Sequence, residues 1–172
     1  MQDNRFYKKG NDSLLTSPKI GLLASRILRP HLTQTVIETI ENLFQDEEIF
    51  VSGWHAPIEQ EIHSVLIKRN SPHIHVAAKS LDQVTCELGE DKVLFLTHCS
   101  DKVQRITRQN ALQRNRFVCE LADQLLIPWL DPQGKTHNIV KNFCAVKPVF
   151  IIDPQYNYTL IESGAKSIRE LI

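Results

Sequence analysis

The chain has 172 residues, of which 42% are hydrophobic and 23% are charged, and its 20 basic residues balance its 20 acidic ones. These values exclude a disordered or fibrous chain, and zero net charge excludes a uniformly basic nucleic-acid binder. No apolar run approaches the ~20 residues that span a bilayer, and no signal sequence follows Met1, so we expect a cytoplasmic protein without membrane contact.

Apolar runs and helical periodicities alternate along the chain. Six short apolar runs predict buried strands: 20–24, 48–51, 74–78, 93–96, 124–129 and 148–152. Helical spacing predicts helices after Pro30, over 58–66, over 110–122 and over 136–143, and a last helix over 160–172 that Gly164 interrupts.

This alternation predicts βαβ units and therefore a parallel sheet with helices on both sides. The expected fold is α/β: a three-layer, Rossmann-like, doubly wound, mostly parallel sheet of about six strands. We expect one domain over 1–172, with a lead-in segment over 1–18 and a C-terminal tail over 153–172 that packs on the core. Ligands of such sheets bind beyond the carboxyl ends of the strands.

Charge is segregated along the chain although it sums to zero. Residues 102–119 hold five basic residues and no acid, whereas residues 38–48 hold five acids and no base. If the fold places these stretches on different faces, one face is an anion site; solvated helix faces are the alternative.

The turns after the first two predicted strands carry polar and basic residues. Ser25 and Arg26, with Arg29, follow the first strand, where arginine and helix amides favour an anion. Ser52 and Gly53 follow the second strand; a hydroxyl there can donate to a phosphate, and glycine allows close approach of a ligand. Trp54 follows, either stacked on a base or packed in the core.

The most basic stretch contains Arg114, Asn115 and Arg116, which we place near a helix start, with Asn110 and Gln113 as a capping pair. Cations there oppose the helix dipole and favour an anionic ligand; the alternative is an arginine that pairs with Asp123 or another acid.

After the fifth strand, Gly134, Lys135 and Thr136 lack the first glycine of a P-loop, because Trp129 occupies that position. What remains is a turn at a helix start that suits one phosphate. Together these turns predict a groove at one sheet edge that binds a nucleotide or a sugar-phosphate backbone.

Other chemistries have little support. Several histidines, His63, His73 and His75 among them, have no cysteine or carboxylate at ligand spacing, so we predict no metal site. No nucleophile elbow is present, so we predict no catalytic residues. The four cysteines form no C-x-x-C pair and are expected to be buried, reduced thiols.

An ordered set of motifs resembles the DNA-processing protein DprA/Smf family, within the SLOG group of Rossmann-like domains. These motifs are the lead-in 6–11, Ala24-Ser25-Arg26, Val51-Ser52-Gly53 with Ile58-Glu59 and His63, Arg114-Asn115-Arg116 with Leu121-Ala122-Asp123, Gly134-Lys135-Thr136, and 160–165.

The resemblance implies a domain that binds single-stranded DNA in a basic pocket, dimerises, and passes the strand to a recombinase during transformation. It implies phosphate contacts from Arg26, Arg114, Asn115 and Arg116, with the turns at 52–53 and 134–136 lining the pocket. No cofactor is expected beyond a bound nucleotide or phosphate. Two alternatives remain open: a SLOG-type nucleotide sensor, and a degenerate structural or partner-binding domain.

Overall fold

The computed structural model describes residues 6–26, 30–43, 48–82, 84–85 and 88–171. Its eight strands are β1 (Tyr7–Gly10), β2 (Lys19–Leu22), β3 (Ile49–Ser52), β4 (His73–Ala77), β5 (Val93–Thr97), β6 (Gln124–Ile127), β7 (Val149–Ile151) and β8 (Lys166–Ser167). Its five α-helices are α1 (Pro30–Leu43), α2 (Pro57–Lys68), α3 (Arg108–Leu121), α4 (Lys135–Lys141) and α5 (Tyr158–Ile161). Arg29, Asp46, Glu47 and Cys86 lie outside the described residues.

All eight strands form one sheet in the order β1-β5-β4-β3-β2-β6-β7-β8. Every neighbouring pair is parallel except β1, which runs antiparallel along β5 with Tyr7 opposite Thr97. The predicted Rossmann-like α/β fold is therefore confirmed, with eight strands rather than about six. The two additional strands lie at the sheet edges.

Helices cover both faces of the sheet because successive strand residues point to opposite sides. Leu125 and Ile127 of β6 join the core that α3, α4 and α5 cover, whereas Leu126 between them joins the core that α1 and α2 cover. Strands β2, β3 and β5 are buried throughout between these two layers, as central parallel strands in a three-layer fold must be.

The C-terminal stretch differs from the predicted helix. Helix α5 ends after one turn, where the amide of Gly164 donates to Ile161 and the amide of Ala165 donates to Leu160. Gly164 has φ +105°, a left-handed conformation that favours glycine and ends a helix. The chain then turns back and adds Lys166–Ser167 to the sheet as β8.

Helix α3 also begins earlier than predicted. Its N-cap is Thr107, whose hydroxyl accepts a hydrogen bond from the amide of Asn110 at 3.1 Å, so Asn110 lies inside the helix rather than at its cap. Consequently Arg114, Asn115 and Arg116 lie in the middle of α3. The cation that opposes the dipole at the start of the helix is therefore Arg108, its first residue, and not any of these three.

Charged residues from the basic stretch and from the acidic stretch of the sequence lie at opposite edges of the sheet. Lys102, Arg105 and Arg108 follow β5 and lie at the carboxyl edge of the sheet, whereas Glu41 near the end of α1 and Glu48 before β3 lie at the amino edge. In the described residues Cys99, Cys119 and Cys144 are free, buried thiols. No helix among the described residues is long and apolar enough to cross a bilayer.

Candidate nucleic-acid interface

The chain reverses its winding direction between β2 and β6, and the turns that follow these two strands are joined by hydrogen bonds. The amide of Ser25 donates to the carbonyl of Trp129 at 3.0 Å, and the amide of Asp131 donates to Oγ of Ser25 at 2.8 Å. A crevice forms at such a switch point, since the connections to the next strands leave in opposite directions.

A cavity of about 550 Å³ opens at this position. Four segments line it: the turn after β2, the start of α2 with the residues before it, the first half of α3 with the residues before it, and the start of α4. The lining residues are Ala24, Ser25, Arg26, His55, Ala56, Glu59, Ile106, Thr107, Arg108, Ala111, Leu112, Arg114, Asn115 and Thr136.

The side chain of Arg114 forms the inner wall of the cavity and is only 7% exposed. It lies directly on the backbone of Gly53: a Cβ at that position would come within 2.4 Å of Nε of Arg114 and 2.6 Å of Cζ. Any other residue at position 53 would displace the guanidinium. The absence of a side chain at Gly53 therefore leaves the space that the guanidinium of Arg114 occupies.

Asn115 fixes the direction of this guanidinium. Its Oδ1 accepts hydrogen bonds from Nε and Nη2 of Arg114 at 3.0 and 2.8 Å. Its Nδ2 donates to Oγ1 of Thr136 at 2.9 Å, which ties α3 to the first turn of α4. Asn115 thus holds Arg114 in place and joins two walls of the cavity.

The buried carboxylate of Glu59 occupies backbone amides that could otherwise hold an anion. Its oxygens accept hydrogen bonds from the amides of Ala24 at 2.9 Å, His55 at 2.8 Å and Ala56 at 3.1 Å. The turns after β2 and β3 are thereby joined. An anionic ligand must consequently be held mainly by side chains.

The cavity remains cationic, because the described residues that line it include three arginines and one carboxylate. Burial lowers the pKa of Arg114; the charge of Arg26 lowers it further and Glu59 opposes both. Burial and the charges of Arg114 and Arg26 lower the pKa of His55, so its imidazole is neutral at neutral pH. Arg26, Arg108 and Arg114 form no ion pair with any carboxylate of the described residues.

Five of the ten residues that the sequence singles out line this cavity: Ser25, Arg26, Arg114, Asn115 and Thr136. Sequence reasoning missed His55, Glu59, Ile106 and Arg108 as lining residues. The basic run over 102–119 contains Arg108 and could have identified it as a lining residue. Nothing in the sequence shows that Glu59 reaches across to the turn after β2.

The turn over 52–53 does not line the cavity, which corrects the expectation for it. Ser52 is fully buried, and its hydroxyl accepts from the amide of Trp54 at 3.2 Å. Trp54 has φ +52° and is only 6% exposed; it stacks on His63 with ring centroids 4.9 Å apart. Stacking of Trp54 on a base is therefore excluded, since its ring lies in the core.

The other three residues lie outside the cavity. Arg116 points away on α3, and its Nε pairs with the carboxylate of Glu120 at 3.0 Å. The predicted alternative, an arginine paired with an acid, thus holds for Arg116 with Glu120, whereas Asp123 pairs with Lys19. Gly134 caps α4 without a side chain, and Lys135 is exposed beside Arg116 in a neighbouring groove.

The histidines over 63–75 contact one another beneath the turn that follows β3. Nε2 of His63 lies 2.9 Å from Nε2 of His73, one ring donating and the other accepting. Burial and the neighbouring charges lower the pKa of His75 to about 3. Within the described ranges no three His, Cys, Asp or Glu side chains are arranged to hold a metal ion.

The sheet order and the switch-point crevice define a Rossmann-like domain with an arginine-lined cavity at the carboxyl edge of its sheet. A family model for DNA recombination-mediator protein A matches residues 4–170. The chain belongs to this family. No curated protein sequence matches it significantly.

Solved structures show the same fold. DNA processing protein A from Streptococcus pneumoniae superposes with a TM-score of 0.81 at 20% identity, over 95% of this chain and 62% of that one. A structure from Helicobacter pylori, described as showing the single-stranded DNA binding mode of DNA processing protein A, gives 0.78 at 21% identity, over 98% of this chain and 84% of that one. A molybdenum cofactor binding protein from Rippkaea orientalis gives 0.56 at 13% identity, over 88% of each chain.

Proposed function

We propose that the chain binds single-stranded DNA and holds its phosphates in the cavity beside β2 and β6. The observation that carries this proposal is the buried guanidinium of Arg114, held by Asn115 and unpaired with any described carboxylate. Burial lowers the pKa of Arg114 although the nearby carboxylate of Glu59 opposes that shift, so part of the cost of burying this charge is not offset. An anion in the cavity relieves the remaining cost. Arg26 and Arg108 at the mouth add charge without an ion-pair partner in the described part of the chain.

The cavity also offers a surface for the uncharged part of a nucleotide. Ile106 is 47% exposed although it is apolar, and with Ala111 and Leu112 it lines the same cavity as the arginines. Phosphates bound to arginines, with sugars and bases against aliphatic side chains, fit a strand that is held without regard to sequence. This mode of binding requires no cofactor.

Family membership supports two further proposals, homodimerisation and transfer of the strand to a recombinase. Light scattering after gel filtration tests the first, and a pull-down with purified recombinase on oligonucleotide-coated beads tests the second. The free thiols of Cys99, Cys119 and Cys144 support a reducing compartment such as the cytoplasm.

Removing either exposed arginine of the cavity tests DNA binding. We expect Arg26→Ala and Arg108→Ala each to weaken binding of fluorescent oligo-dT by about tenfold at low salt, since each variant neutralises one phosphate fewer. The slope of log K against log salt should shrink by about 0.7 for each phosphate that is no longer neutralised. Fluorescence anisotropy over a salt series measures both quantities.

The matched control is Arg69→Ala, because Arg69 is an exposed arginine just after α2, at the opposite edge of the sheet. It should leave affinity and salt slope unchanged. Equal behaviour of all three variants would contradict the proposal. If free mononucleotides competed as tightly as the oligonucleotide, the nucleotide-sensor alternative would replace it.

A further inference from the structure

A second groove of about 500 Å³ runs along the outer surface between α3 and α4. It is continuous with the first cavity, because Arg108 and Leu112 line both. The described residues that line it are Arg108, Gln109, Leu112, Gln113, Arg116, Lys135 and Ile139.

Among the described residues, three exposed cations and no carboxylate line the groove. Arg108 and Arg116 lie eight residues apart on α3 with Leu112 midway, so all three share one stripe that spans about 12 Å along the helix axis. Lys135 faces them from the first turn of α4. Neither Arg108 nor Lys135 forms an ion pair within the described part of the chain.

The remaining lining residues suit the other parts of a nucleotide. Leu112 and Ile139 give the groove an aliphatic floor, and Gln109 and Gln113 provide amide donors and acceptors beside it. A basic track beside apolar and amide side chains fits a sugar-phosphate backbone with exposed bases better than it fits a peptide or a small anion.

We propose that the groove between α3 and α4 is a second binding segment for the same single strand, with Arg108 holding the phosphate at the junction of cavity and groove. This inference rests on the proposed function of the cavity. Continuity with that cavity and charge complementarity commit the groove to one occupant, a DNA strand that continues out of the cavity.

Arg116 is partly neutralised in the free protein by its pair with Glu120. Both side chains are well exposed, at 70% and 43%, and such surface pairs are weak, so a phosphate can replace the carboxylate. Glu120 does not line the groove. The variant Glu120→Gln therefore frees Arg116 without altering the surface that the strand touches.

A length series of oligo-dT separates the groove from the cavity. We use a 4-mer, which fills one segment, and a 12-mer, within the site sizes of about 4–16 nucleotides that single-strand binding domains occupy. The double variant Arg116→Gln/Lys135→Gln should weaken the 12-mer by about tenfold and reduce its salt slope by about 1.4, leaving the 4-mer unchanged. Glu120→Gln should tighten only the 12-mer, by about two- to fourfold.

Lys141→Gln is the matched control, because Lys141 is an exposed lysine on α4 that does not line the groove. If the double variant and Lys141→Gln bound the 12-mer with the same affinity and salt slope, the groove proposal would be overturned. The proposal that DNA binds in the cavity would not be affected. If wild type bound neither oligonucleotide, the proposed function would fail and the groove with it. Arg26→Ala, which should weaken both lengths, shows which segment holds the 4-mer.

Discussion

At the scale of single residues, the cavity depends on a short series of contacts around Arg114. Gly53 leaves space for its guanidinium, Asn115 accepts from two of its nitrogens, and Thr136 accepts from Asn115 in turn. Asn115 and Thr136 therefore serve first to position an arginine. Substitutions among these residues should act through the direction of the guanidinium.

The variant Gly53→Ala tests this positioning. An added Cβ at 2.4–2.6 Å from three atoms of Arg114 forces the guanidinium off its site, so we expect about tenfold weaker oligo-dT binding. Overpacking should also lower the free energy of unfolding by about 1–3 kcal/mol. Anisotropy and urea denaturation measure the two effects separately.

A double-mutant cycle shows whether Gly53→Ala weakens DNA binding through Arg114 or directly. In an Arg114→Ala background the guanidinium is absent, so Gly53→Ala should cause no further loss of DNA affinity. If the two losses simply added, Gly53 would contact the DNA itself and the positioning role would be wrong.

The sequence predicted which residues follow each strand at the site, but it did not predict the direction in which their side chains point. Ser25 and Arg26 follow β2 as predicted and line the cavity. Trp54 follows β3 as predicted, yet its backbone at φ +52° turns the indole into the core against His63. A left-handed conformation at a tryptophan has no local sequence signal, because only the surrounding packing stabilises it.

At the scale of secondary structure, α3 contributes most to the site, and its C-terminal end is fixed to the sheet by Asp123. Oδ2 of Asp123 accepts from the amide of Lys19 at 2.8 Å and lies 3.1 Å from its Nζ. The amide of Asp123 donates to the carbonyl of Lys19 at 2.9 Å. Asp123 thus ties the turn between α3 and β6 to the start of β2.

This contact makes stability depend on pH in the acid range. Burial alone would raise the pKa of Asp123, but hydrogen bonds from the backbone and side chain of Lys19, with nearby lysine charges, lower it. The unfolded chain therefore binds the proton more readily. The stabilisation is complete above the unfolded carboxyl pKa of about 3.9 and is lost as the pH falls through the lower folded value.

We expect Asp123→Asn to flatten the fall in unfolding free energy below pH 4 and to lower stability modestly at neutral pH. Urea unfolding followed by tryptophan fluorescence between pH 2.5 and 6 measures this. Asp101→Asn is the control, because Asp101 is exposed and forms no ion pair among the described residues. Parallel pH profiles for wild type and Asp123→Asn would show that another carboxyl controls acid stability.

The periodicity of apolar residues predicted the buried strands and helices well, because the burial of one face is what places apolar residues at regular intervals. The six predicted strands lie where β2 to β7 are found, within about two residues of the observed ends. Strand β1 escaped prediction because all four of its residues are exposed at the sheet edge. The start of α3 was misplaced because its first residues, Arg108 to Asn110, are all polar and give no periodicity.

At the scale of the whole molecule, zero net charge conceals a local excess of arginines around the cavity. The acids of α1 and of the residue before β3 lie at the amino edge of the sheet, opposite the arginines around the cavity. The excess of arginines among the described residues that line the cavity attracts a polyanion to that place. The total charge therefore gave no indication of the nucleic-acid partner that we propose, whereas the basic run over 102–119 did.

The central claim is that DNA contacts the carboxyl edge of the sheet. Amide resonances of ¹⁵N-labelled protein, followed during titration with a 12-mer oligo-dT, test it most directly. We expect the largest shifts at Ala24 to Arg26, at His55 and at Thr107 to Leu112, and unchanged resonances at Lys19, Ser71 and Asp123. Shifts concentrated at that second group, or no saturable shifts at low salt, would contradict the account.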